Sequence, residues 1–439
     1  MSDDLSEVKR AAYAEIHDSQ DDLVQFLSEY VQQKSINPSR ALEFEPGGTT
    51  ECQRWLADRL SGLGCFERVE LLRAGPDDFN VVATMSASSQ EHRSIMFNGH
   101  SDVVPVAREH YDGWSGGDPW SGHVQDGALF GRGSSDMKGG NAAVVWAMRA
   151  LSRVGFVPPG RATASFIIGE ESGEVDLGPH HILSHGHSAD LAVITEPSGL
   201  KVCPAAVGWF FFQVVVRGEA AHAAGRARSI HPSSDGVIGV NAIDLMGQIM
   251  ERLRDLEHQW ALYEKHPLME PGTMALNPVQ IQGGGMQATT PDLCSAVWAA
   301  TLSPNRPCAD VIAEIKRVID TVTVGDVWLQ ANPPEVVFPY LHTYYDPIDL
   351  PVDHPGARTL ARAVTEATGA KNNIGMMPTP TDANLFAAAG QPAIVCGPGH
   401  LVGSGVHGLN EHIRIDDVVQ AAKVYAAMIV NWCSQDRGH

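Results

Sequence analysis

His100 and Asp102 stand two residues apart in NGHSDVVPV (98–106). A carboxylate that close can hold an imidazole in one tautomer and aim it at a metal. Asp136 lies in GRGSSDMKGG (131–140), where glycines permit a tight loop that turns one carboxylate inward. Glu170 and Glu171 are adjacent acids directly after Phe166-Ile167-Ile168-Gly169. On an extended segment neighbouring side chains point to opposite sides, so these two should have different jobs. Glu196 precedes Pro197, and His407 lies in GVHGLNEHI (405–413). Two histidines and several carboxylates suit one or two zinc ions, or manganese or cobalt. An aspartate shared between ions about 3.5–4 Å apart is what a two-metal hydrolase needs. Taken singly, an acid at a strand end is more often a helix cap or a solvated loop residue. The joint pattern is what points to a metal centre.

These residues need elements to present them. Ser94–Asn98, Ala164–Ile168, Leu191–Ile194 and Ala393–Cys396 are short apolar runs that each end in polar residues. Helical periodicity marks Asp21–Val31, Gly48–Leu63 (with Thr49 or Thr50 as cap), Gly140–Val154 and His354–Thr368. Short buried strands alternating with helices predict an α/β fold with a mixed, mostly parallel sheet flanked by helices. In such sheets ligands bind beyond the carboxyl ends of the strands, and most of the His-and-carboxylate motifs sit there. The middle of the chain reads differently: strand Phe210–Val216, helix Gly236–Asp255, strands Val279–Ile281 and Leu293–Leu302, helix Ala309–Val322 and strand Val327–Ala331. That order predicts an inserted α+β domain over 208–336, with 1–207 and 337–439 forming the larger domain.

The chain has 439 residues, with Lys plus Arg 31 against Asp plus Glu 52 and a net charge of −21. Backbone binding to nucleic acid needs clustered cations, and so does an anionic membrane surface, so neither partner is expected. The start, MSDDLSEVKR, is acidic with no apolar run behind it, and Val207–Val216 is half the ~20 residues a spanning helix needs. Seven dispersed cysteines with no C-x-x-C pair predict reduced thiols and a cytoplasmic protein. His180, His181, His185 and His187 form a tract that reads as a solvated connection between two strands.

NGHSDVVPV, WSGGDPWSGHVQDGALFGRGSSDMKGG (114–140), GEESGE (169–174), TEP (195–197) and GVHGLNEHI occur in this order across both ends of the chain. Together they resemble the aminoacylase, carboxypeptidase G, acetylornithine deacetylase and succinyl-diaminopimelate desuccinylase family. The resemblance implies a zinc-peptidase-like catalytic domain holding two divalent metal ions, most simply zinc. Asp136 would be shared, His100 and Glu196 would hold one ion, and Glu171 and His407 the other. Glu170 would be the general base, Asp102 would orient His100, and the Asp136–Met137 peptide would be cis. The inserted domain would be a lid that forms a homodimer, and His222, in GEAAHAAG (218–225), would reach the partner's site.

The implied activity is hydrolysis of a C–N bond, an amide first, in a small molecule. Two competitors are a carbamate hydrolase or hydrolytic deaminase of a non-peptide, even aromatic, compound with the same centre, and a binding protein with a degraded site. The sequence departs from the family where relatives bind an amino-acid carboxylate: Ala288, Thr301 and Asn384 stand where Asn, Arg and Arg are common, and Thr379-Pro380 replaces a glycine turn. Neither Thr nor Asn supplies the charge of a bidentate guanidinium. Arg226, Arg228 and Arg306 are the remaining sources of such a charge. The expected substrate therefore lacks the usual α-carboxylate, with Trp209, Phe210 and Met376 offered as pocket walls.

Overall fold

The computed structural model describes residues 2–37, 48–226, 239–341 and 344–437. They form two compact units, Met1–Ala205 with Leu350–Met377 and Thr381–His439, and Ala206–Asp349 with Pro378–Pro380.

The first unit is built on one sheet, in the order Arg68–Arg73, Phe79–Thr84, Ala162–Ile167, Ile95–His100, Leu191–Pro197, Ala393–Gly397 and Val202–Ala206, the last also pairing with Ile374–Met377. The four middle strands run parallel, and Phe79–Thr84 and Val202–Ala206 flank them antiparallel. Strands buried on both faces need continuous apolar runs, and the middle strands have them. Helix Ile415–Cys433 lies deep in the core, burying Val418, Tyr425, Met428, Ile429 and Trp432. It packs against Ser2–Asp18, Gly139–Arg153 and Pro355–Thr368. Tyr425 meets Phe97 with ring centroids 5.1 Å apart and donates to the Cys396 carbonyl at 2.8 Å, fixing this helix across the central strands. Glycine allows one further close approach: a Cβ on Gly140 would lie 2.4 Å from the Thr195 carbonyl. The Asp136 loop and its helix therefore sit hard against the end of Leu191–Pro197.

The second unit has a four-stranded sheet in the order Ala275–Gly283, Leu293–Leu302, Gly208–Arg217, Glu335–Val337. All of its pairs are antiparallel. Along Gly208–Arg217 burial alternates, with Phe210, Phe212, Val214 and Val216 inward. These pack with helices Ala242–Tyr263 and Cys308–Gly325 in one core.

Several sequence readings need correction. Val327–Ala331 is a short helix, because the Asp326 side chain accepts the amides of Trp328 and Leu329 and starts a helical turn; the strand follows at Glu335–Val337. Helix Thr49–Leu63 has Gly48 at its N-cap, with no side-chain cap from Thr49 or Thr50. The second unit runs past 336 to Asp349, because Trp209 and Tyr345 exchange backbone hydrogen bonds at 2.8 and 2.9 Å. Phe210 is fully buried against Phe338 and Tyr344, so it is a core residue rather than a pocket wall.

Candidate metal centre

The Ile95–His100 strand ends on His100, which is buried. Its Nδ1 lies 2.9 Å from the main-chain carbonyl of Asp102. A carbonyl only accepts, so Nδ1 carries the proton and the neutral ring presents a lone pair at Nε2. The orienting contact is thus the Asp102 main chain, while the nearer Asp102 carboxylate oxygen is 3.9 Å from Nδ1. That carboxylate instead accepts from Asn37 Nδ2 at 3.1 Å and the Glu171 amide at 3.2 Å, linking the His100 and Glu171 segments.

Asp136 sits in the turn Ser134–Lys138, where it and Met137 leave helical geometry and the Asp136–Met137 peptide is cis, as the resemblance implies. Its two carboxylate oxygens face different imidazoles. Oδ1 is 3.2 Å from His100 Nε2, and Oδ2 is 3.4 Å from His407 Nε2. His100 Nε2 is also 3.5 Å from Glu196 and 4.0 Å from Glu170. His407 Nε2 is 3.1 Å from Glu171. Two sets of ligand atoms with metal-like spacing result: His100, Glu170 and Glu196, and His100, Asp136 and Glu171.

The electrostatics match this donor set. Burial opposes charge on His100, but contacts with Asp136 and Glu196 raise its pKa well above the ordinary value. Hydrogen bonds to Asp136 and Glu171 push His407 up to about 10. Burial also opposes charge on Asp136, yet the two imidazoles hold it below the usual carboxylate range. Burial first, then the Asp136 charge, raises Glu196 to about 8. Burial raises Glu170 well above 4.5 and raises Glu171 as well, each with help from neighbouring carboxylates. Nε2 lone pairs aimed at carboxylates attract only if protons or cations lie between them. A cation would let the rings stay neutral and the acids ionise, so the residues present fit a metal centre.

His222 belongs to the second unit, where it is exposed and its Nδ1 accepts the Ala224 amide at 3.1 Å. The tract His180–His187 spans helix Pro179–Ser184 and the turn after it, with His180 and His185 exposed. Arg226 pairs with Asp244, Arg306 pairs with Glu264 and Glu314, and Arg228 lies outside the described residues. Sequence reasoning gave no role to Asp382, a buried acid that accepts from Asn98 Nδ2 at 3.3 Å and is pushed up to about 7, mainly by burial. It also passed over Glu411, whose carboxylate accepts the Asp136 amide at 2.9 Å. Glu411 lies inside the GVHGLNEHI motif, which was the one available signal.

The profile of peptidase family M20/M25/M40 matches residues 96–431. The chain belongs to this family. It is a metallohydrolase of amide C–N bonds. The N-formyl-4-amino-5-aminomethyl-2-methylpyrimidine deformylase of Bacillus subtilis is 30% identical over 410 residues, covering 89% of this chain and 92% of the relative. The succinyl-diaminopimelate desuccinylase of Roseobacter denitrificans is 25% identical over 367 residues, covering 77% and 83%. Among solved structures, aminopeptidase PepT from Bacillus cereus superposes with a TM-score of 0.69 at 21% identity, covering 94% of this chain and 98% of PepT. Among the described residues no helix is long and apolar enough to cross a membrane.

Proposed function

We propose that this chain removes a small acyl group, formyl first, from the aminomethyl nitrogen of a heteroaromatic amine of the N-formyl-4-amino-5-aminomethyl-2-methylpyrimidine type. One observation carries this reading: the 30% identity to a deformylase of that compound, sustained over 89% of the chain. Asn384 adds support. Its side chain accepts the Thr381 amide in a capping box that starts helix Asp382–Ala388, so a helix start occupies the place where relatives use a carboxylate-binding Arg.

His100, Asp136, Glu171, Glu196 and His407 would hold two divalent cations, zinc first, with manganese or cobalt as alternatives. Asp136 would be shared, with His100 and Glu196 on one side and Glu171 and His407 on the other. Bound there, the cations would polarise the amide carbonyl and lower the pKa of water. Glu170 takes the proton of the attacking water and delivers it to the leaving nitrogen, so C–N cleavage yields the acid and the free amine. Burial raises the Glu170 carboxyl, which suits a group that must both accept and return a proton near neutral pH. Asp102 orients His100 through its carbonyl and braces Glu171 through its carboxylate.

The proposed assembly is a homodimer through the second unit. Ala275–Gly283 is an edge strand with Val279 and Ile281 exposed, a surface suited to pairing with another copy. His222 would then hydrogen-bond the developing oxyanion in the partner's site. A cytoplasmic location is supported by seven free, buried thiols. Mixing inactive Glu170→Gln and His222→Ala subunits should restore activity, and no rescue after proven subunit exchange would remove the dimer reading. For the substrate, kcat/KM of zinc-loaded enzyme is compared for the formylaminomethyl pyrimidine, N-succinyl-diaminopimelate and N-acetylornithine. A carboxylate-bearing amide favoured by more than ~10-fold, about 1.4 kcal/mol of transition-state binding, would overturn the proposal.

A further inference from the structure

Behind the candidate centre a buried ion pair joins two loops nearly 300 residues apart in sequence. Arg132 is 3% exposed and Glu411 is fully buried, with Arg132 Nη1 donating to Glu411 Oε2 at 2.5 Å. The other prong, Nη2, donates to the Gly408 carbonyl at 3.0 Å, one residue past His407. The other Glu411 oxygen accepts the Ser135 amide at 3.0 Å and the Asp136 amide at 2.9 Å. The Glu411 carbonyl takes the Gly131 amide at 2.9 Å. Asn410 adds a stitch, accepting from the Ser115 amide at 2.7 Å and donating to the Gly113 carbonyl at 2.9 Å.

Burying such a pair gains little net stability, because desolvation offsets most of the Coulombic attraction. Its value lies in where its ends land. Glu411 grips the backbone of Asp136, and Arg132 grips the backbone beside His407. His407 lies on a loop: its ring contacts the Glu171 and Asp136 carboxylates, but its side chain is 54% exposed and its φ of 57° is in the left-handed region. His100 and Glu196, by contrast, are on sheet strands and buried.

We infer that Arg132 and Glu411 are positioning residues that set the span between Asp136 and His407, and so decide whether the Glu171–His407 cation position fills. This rests on the two-cation reading proposed above. The test is zinc titration of the full chain by calorimetry, with metal content after dialysis, for wild type, His407→Ala, Arg132→Lys and Glu411→Gln. A lysine keeps the charge but cannot fork to both Glu411 and Gly408. Wild type should bind two equivalents and His407→Ala one. Arg132→Lys and Glu411→Gln should keep the first equivalent within about twofold and weaken the second by ~10–100-fold, the range for residues that orient ligands. If both variants bind two equivalents as wild type does, or if folded variants lose both equivalents equally, the positioning role is overturned. If His407→Ala itself keeps two equivalents, the two-cation reading fails on its own account. Should a single variant not fold, the double variant Arg132→Met with Glu411→Gln, which leaves no unpaired buried charge, decides by the same split.

Discussion

Stripping divalent cations with a chelator should leave a protein that loses stability as pH rises from 6 to 8. Glu196 is 4% exposed, and burial together with the Asp136 charge raises its carboxyl from 4.5 to about 8. A group whose folded pKa lies above its unfolded one contributes stability that is complete below pH 4.5 here, and that is lost as pH climbs through 8. At about 1.4 kcal/mol per pH unit at most, the full window is worth on the order of 5 kcal/mol, and the stretch from pH 6 to 8, over which the folded carboxyl becomes half ionised, about 2 kcal/mol. Asp382, raised to about 7 mainly by burial, acts in the same direction. So does His407, raised from 6.5 to about 10 by Asp136 and Glu171: its contribution is present below 6.5 and lost through 10. Its ring is 54% exposed, so solvent screening leaves it a minor share. In a unit of this size the Glu196 share alone corresponds to a fall of roughly 3–4 °C in Tm. Calorimetric scans of chelator-dialysed protein at pH 6, 7 and 8 measure it. Glu196→Gln cannot titrate, so it isolates the effect and should flatten the slope. Zinc should reverse the trend in wild type, because ligands must lose protons to bind. Identical metal-free pH slopes for wild type and Glu196→Gln would refute the reasoning.

Asp136→Ala should abolish both zinc equivalents, whereas Glu171→Ala should spare the position at His100; metal content after dialysis separates them, and full occupancy in Asp136→Ala would end the shared-ligand assignment. Glu170→Gln should keep its metal while kcat falls by ~10²–10⁴, measured under saturating substrate, and near wild-type turnover would exclude Glu170 as the base. Asn384→Arg breaks the capping box and forces a bulky charge into a position that is 1% exposed, without creating a carboxylate site: we expect a loss of roughly 2–4 kcal/mol in denaturant unfolding and no preference for α-carboxylate amides. A gain of tenfold or more for such amides would show that the position does face substrate.

Much of the candidate centre was legible because its residues sit at the ends of strands that announce themselves as apolar runs. His100, Glu170, Glu171 and Glu196 each follow such a run within a few residues, so local pattern and function coincide. Asp136 and His407 lie in glycine-rich loops and were readable only as members of a motif set. Glu411 and Arg132 act through contacts 279 residues apart, and nothing local distinguishes a glutamate that grips a distant backbone from one in solvent. The failure at Val327–Ala331 was of another kind. Five apolar-rich residues fit a strand or a helix equally, and the Asp326 cap decided it.

The first unit is assembled from both ends of the chain, with its innermost helix, Ile415–Cys433, near the very last residues described. During synthesis Glu196 leaves the ribosome about 200 residues before His407, a delay of roughly 10–40 s at ordinary elongation rates. Throughout that interval the acid-rich half of the centre exists without His407, Glu411 or the helix that completes the core. A nascent chain of that length carries these carboxylates before the helix that buries much of the core has been made. The core of the first unit closes only once Ile415–Cys433 has been made, because Ser2–Asp18, Gly139–Arg153 and Pro355–Thr368 all pack against that helix.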